Sequence, residues 1–322
     1  MHDIWNPWHG CIKCSPGCQN CYMYALDARR GLGYKSGIVL KTNNFDYPLK
    51  KDRKGNYKVK TGDRIRVNMT SDTFIEYADE WRDDMWKIIK KRSDVIFWIL
   101  TKRPERIVNC LPDDWGLGYD NVMMNCTCEN QDMFDKRIDD FLNVPAAHKG
   151  LCLAPLISDI DISKALASGM IEEVSVGGEN YDNPRPCRYE WVKHVADTCH
   201  QYKINFVWYE LGTHFVDENN YCYTFEDKHK QAVYPWFMGL NQHYYDIKYN
   251  LKYEDGTPVL NKDYRERSFN SLSCLYCSNQ TMCNGCSNCG KCGAGIQIKE
   301  NDFFKYQWDM YQNQILPQWL FM

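Results

Sequence analysis

The chain has 322 residues, 44% hydrophobic and 25% charged, enough to bury a sizeable core without staples. Its net charge of −3 argues against a general polyanion binder, though not against a local basic patch. Seventeen cysteines are the anomaly, and a chain this long is a poor candidate for a disulfide scaffold. The opening MHDIWNPWHG shows no secretory pattern, and no apolar run approaches the roughly 18 residues of a membrane span. The expectation is an intracellular, cytoplasmic, metal-loaded protein without a membrane segment.

In chain order, a first strand is expected near Ile4–His9, followed by a cysteine-rich turn and a basic hairpin insertion at 45–66. Short β-branched runs then alternate with amphipathic helices. The strands are Ile65–Met69, Val95–Thr101, Val122–Cys128, Gly150–Ala154, Glu173–Val176 and Asn205–Tyr209. The helices are Glu76–Arg92, Gln131–Asn143 and Arg188–Tyr202, each with one apolar stripe. This alternation implies a parallel sheet with right-handed crossovers. About seven βα units favour a (β/α) barrel, complete or partial, over an open doubly wound sheet. In either, the site lies at the C-terminal strand ends.

Composition divides the chain into a core at 1–215 and a second part at 216–322. The latter holds a Tyr-rich connection, a hairpin with an Asp-Gly turn at 245–260, a cysteine-rich subdomain and an aromatic tail.

Cys11, Cys14, Cys18 and Cys21 can be grouped in two ways. All four could close a tetrahedral structural zinc site. Alternatively, three could hold a [4Fe–4S] cluster and leave one iron open to a small molecule. Cys14, Cys18 and Cys21 have C-x3-C-x2-C spacing, associated with radical S-adenosylmethionine (SAM) enzymes, whereas Cys11, Cys18 and Cys21 have a longer C-x6-C-x2-C spacing.

WNPWHGCIKCSPGCQNCY resembles the opening signature of a phage-associated family of uncharacterised proteins regarded as radical-SAM-like. The similarity continues through SDTF at 71–74, LTKRPERI at 100–107, CEN at 128–130 and GGENYDNPRP at 177–186. The resemblance implies Cys11, Cys18 and Cys21 as cluster ligands, with Cys14 as a competitor. Ala154-Pro155 and VWYELG depart from the family pattern, the latter placing Glu210 where a cation is usual. Glu210 is therefore a candidate substrate contact.

The motifs place Ser71, Asp72, Lys102, Arg103, Glu129, Asn130, Gly177, Gly178 and Glu179 at successive strand ends as candidate SAM-binding residues. Carboxylates there suit the ribose or ammonium, and cations suit the carboxylate. Glycines permit close backbone approach.

The second cluster is Cys274, Cys277, Cys283, Cys286, Cys289 and Cys292. Its first four cysteines, C-x2-C-x5-C-x2-C, resemble the auxiliary-cluster kernel of peptide-modifying radical-SAM enzymes, one residue short. An auxiliary [4Fe–4S] cluster is expected, with zinc as the alternative.

The resulting expectation is a radical-SAM enzyme. It cleaves SAM reductively to a 5′-deoxyadenosyl radical, which takes hydrogen from an unknown substrate: a small molecule, peptide or nucleic acid. A flavodoxin or ferredoxin would supply the electron. The alternatives are a zinc protein that binds nucleic acid or a partner, and a radical-type nucleic-acid repair lyase.

Overall fold

The computed structural model describes residues 4–32 and 37–260. The six-cysteine cluster and the aromatic tail lie outside them.

Seven strands form one curled parallel sheet, a partial (β/α) barrel: β1 (Ile4–Trp5), β2 (Arg64–Val67), β3 (Ile96–Thr101), β4 (Val122–Thr127), β5 (His148–Leu153), β6 (Ile171–Gly177) and β7 (Asn205–Glu210). Their order in the sheet is their order in the chain, and every pairing is parallel. The expected first strand splits at Pro7, which lacks a backbone donor. Ile4–Trp5 joins the sheet, whereas Trp8–His9 pairs antiparallel with Leu40–Lys41.

The helices are α1 (Tyr22–Arg29), α2 (Asp79–Lys91), α3 (Pro104–Ile107), α4 (Gln131–Asn143), α5 (Ser163–Ala167), α6 (Tyr189–Tyr202) and α7 (Lys228–Phe237). Buried residues recur at helical spacing on α2 (Met85, Trp86, Ile88 and Ile89) and on α6 (Val192, Val195, Ala196 and Cys199). Strand residues alternate between two layers. Phe97, Ile99 and Met124 join the main core with the helices, while Ile96, Trp98 and Met123 face the opposite side.

That opposite, concave face is partly covered from beyond the compositional boundary at 216. Ile247, Tyr249, Leu251 and Val259 pack on Ile96, Trp98, Met123 and Cys152. The Asp255-Gly256 turn is present, closed by an antiparallel bridge between Lys252 and Pro258. In the basic insertion, Lys51 bridges Tyr57 in a short hairpin before the N-terminal end of β2, away from the cysteine loop. Arg64 and Arg66 belong to β2 itself. Arg64 forms a buried bidentate pair with Glu173 across the sheet, at 2.6 and 3.2 Å.

Candidate active site

The loop carrying the first four cysteines lies across the C-terminal end of the sheet. It is tied there by one strand end after another. Gly10 N donates to Thr70 O (3.0 Å) and Ser71 Oγ donates to Gly10 O. Arg103 Nη2 donates to Ile12 O (2.9 Å), and Gly17 N donates to the Glu129 carboxylate (3.0 Å). Asn20 Nδ2 reaches Glu179 (3.0 Å), and Arg185 Nη2 reaches Pro16 O (3.0 Å). A Cβ on Gly17 would sit 2.9 Å from the Glu129 carboxyl carbon, so only glycine brings the loop this close.

Most candidate SAM-binding residues therefore have partners within the protein. Asp72 accepts from Phe74 N (2.9 Å), Thr101 Oγ1 (2.8 Å) and Lys102 N (2.9 Å), and pairs with Arg103 at 3.1 Å. Glu129, fully buried, pairs with Arg137 at 2.7 Å. Asn130 caps α4 by accepting from Met133 N at 3.0 Å. Glu179 accepts from Arg185 N (2.8 Å) and Nε (2.9 Å). Gly177 and Gly178 permit close approach, but to the protein itself. A Cβ on Gly177 would fall 2.6 Å from the Tyr209 ring, and one on Gly178 would fall 2.1 Å from Leu211 O. Asn20, Arg137 and Arg185 complete this scaffold. Asn20 and Arg185 lie inside quoted motifs, whereas Arg137 reads only as a polar position on α4.

Beneath the loop is a cavity of about 160 Å³. Cys11, Cys18 and Cys21 line it, together with Asn68, Lys102, Arg103 and Glu210; Cys14 is exposed and does not. Among the described residues, no group of three or more His, Cys, Asp or Glu side chains forms a ready-made site for one metal ion. The three thiols instead border a shared volume. Burial pushes the Cys11 thiol up to about 12, reinforced by Asp72, and burial also raises Cys21. Cys18 is shifted the other way, because Cys14 donates a hydrogen bond to it and Lys102 adds positive charge. Lys102 stays charged: the loss from burial is outweighed by Cys18, Glu129 and Cys21. The buried Asn68 Oδ1 on this wall has no partner among the described residues.

Tyr22, Cys152, Asn180, Tyr209 and Glu210 also line a second cavity, of about 1440 Å³, on the concave side of the sheet. Burial raises Glu210, partly offset by Lys228 at 3.9 Å.

Residues 1–270 match the model of a family described as "Protein of unknown function (DUF5131)". No curated protein and no solved structure matches the chain.

Proposed function

We propose that this chain, which belongs to the DUF5131 family, is a radical-SAM enzyme whose cluster is held by Cys11, Cys18 and Cys21. The observation that carries the reading is that these three thiols, and not Cys14, border one cavity at the C-terminal end of a parallel partial barrel. Three soft donors around a volume fit a cluster with one iron left open. When bound, the cluster and SAM supply one-electron chemistry: reductive cleavage of the S–C5′ bond and a 5′-deoxyadenosyl radical that takes hydrogen from the substrate.

The chain's own residues bind and orient. Lys102 on the cavity wall offsets thiolate charge and offers a cation to an amino-acid carboxylate. Asp72, Arg103, Glu129 and Glu179 act one step back, fixing the loop that presents the thiols. Tyr22, Tyr209 and Glu210 stand between the small cavity and the large one, where a substrate would meet the cofactor. The six C-terminal cysteines are assigned to an auxiliary cluster, and a flavodoxin or ferredoxin to electron supply.

Anaerobic incubation with dithionite and SAM tests the reading. The expected product is 5′-deoxyadenosine, abolished by Cys18→Ala. A colourless protein containing only zinc and forming no such product would refute it.

A further inference from the structure

The large concave cavity has a composition of its own. Among the described residues, Arg30, Arg64, Arg66, Lys228 and Lys248 line it against three carboxylates, Glu173, Glu210 and Asp246. Its walls thus carry an excess of two positive charges in a chain whose net charge is −3. Arg64 and Arg66 lie on the sheet, whereas Arg30, Lys228 and Lys248 are exposed, so the excess positive charge lies on the solvent-facing part of the wall and favours anions there. The same walls are aromatic: Trp98, Tyr22, Tyr209, Tyr181 and Tyr245 all border the space.

Trp98 is 6% exposed, and its indole Nε1 has no hydrogen-bond acceptor among the described residues. The Arg64 guanidinium lies over the Trp98 ring, 5.2 Å from its centroid, placing charge and π-surface side by side.

We infer that this cavity binds a nucleotide: a phosphate for the cationic wall and a base for the aromatic one. At about 1440 Å³ it exceeds the roughly 300–1,000 Å³ of ordinary small-ligand sites, so a nucleotide within a single strand also fits. The inference rests on the proposed function only in calling this ligand the substrate. Binding itself needs neither cluster nor radical.

The test is equilibrium dialysis of the full chain with nucleoside monophosphates, the matching nucleosides, inorganic phosphate, a single-stranded hexanucleotide and an acidic hexapeptide. Each is run with and without saturating S-adenosylhomocysteine, which fills the SAM position. The expected result is monophosphate or hexanucleotide binding at least about tenfold tighter than nucleoside, phosphate or peptide, and unchanged by S-adenosylhomocysteine. Preference for the hexanucleotide assigns a strand; preference for the monophosphate assigns the free nucleotide.

Arg66→Gln should weaken nucleotide binding about tenfold without changing nucleoside binding, and Arg66→Lys should restore part of it. Trp98→Leu, which removes the aromatic face, should weaken nucleotide binding several-fold while leaving inorganic phosphate binding unchanged. Four results would overturn the inference: equal nucleoside and nucleotide affinity, displacement by S-adenosylhomocysteine, peptide binding as tight as nucleotide, or an unaffected Arg66→Gln variant whose melting temperature matches the parent. Iron analysis of the same preparation separates the two proposals. Nucleotide binding to iron-free protein would leave this inference standing and remove the radical reading. A cluster that cleaves SAM without nucleotide binding would do the reverse.

Discussion

Replacing Glu129 by glutamine should unfasten the cysteine loop. Glu129 is fully buried, holds Gly17 N at 3.0 Å and pairs with Arg137 at 2.7 Å. Glutamine keeps one acceptor for one of these donors but brings an amide N–H₂ toward the other. Arg137 is itself only 5% exposed, so its charge would be left buried without its counter-ion. Breaking such a pair costs roughly 3–5 kcal/mol. In a domain of this size about 1 kcal/mol shifts the melting temperature by roughly 2–4 °C, so a loss of about 10 °C is expected. Thermal unfolding followed by circular dichroism reads that loss. Iron content of anaerobically purified protein should fall in parallel, because the loop presents three of the proposed ligands. A Glu129→Gln variant that melts within about 2 °C of the parent and retains its full iron would refute the claim that this carboxylate anchors the loop.

Cys14→Ala should keep the N-terminal iron and the deoxyadenosine product while Cys18→Ala loses both, since Cys14 is exposed and off the cavity wall. Gly178→Ala would place a methyl 2.1 Å from Leu211 O and 2.7 Å from Gly212 Cα. Overpacking against backbone should cost about 1–3 kcal/mol or more, seen in urea unfolding. Glu210→Gln should stabilise the protein at neutral pH, because burial raises the Glu210 carboxyl above its ordinary value near 4.5 and ionisation therefore disfavours the fold. The gain should be absent below that ordinary value and grow as pH rises through the raised one. Equal melting temperatures of parent and variant at every pH from that ordinary value up to neutrality would contradict it.

The barrel-like alternation was readable because both periodicities are strong. Helical stripes such as Met85, Ile88 and Ile89 and the buried strand runs leave few other architectures. Short elements were not: Pro104–Ile107 and Ser163–Ala167 are too brief to show a period. Ile247, Tyr249 and Leu251 alternate as a half-buried strand does, yet nothing local says that they pack on the concave face. The strand-end residues illustrate the deeper limit. Glu129 and Glu179 can be picked out as site residues from their motifs. Whether such a carboxylate meets a ligand or a loop depends on contacts like Gly17 to Glu129, across 112 positions of sequence. Spacing within a motif carries no information about that. Arg64 was likewise hidden at the end of a basic run that reads as one exposed hairpin, and the expected strand Ile65–Met69 does not say which face Arg66 joins.

The central claim is that three cysteine thiolates leave one iron open to SAM. Electron paramagnetic resonance of the dithionite-reduced full chain, with and without SAM, tests it most directly. The expected result is a reduced-cluster signal that SAM alters, and loss of the alteration in Cys18→Ala even where a C-terminal cluster keeps a signal of its own. A reduced signal indifferent to SAM in the parent protein, or one that Cys18→Ala leaves equally responsive, would contradict it.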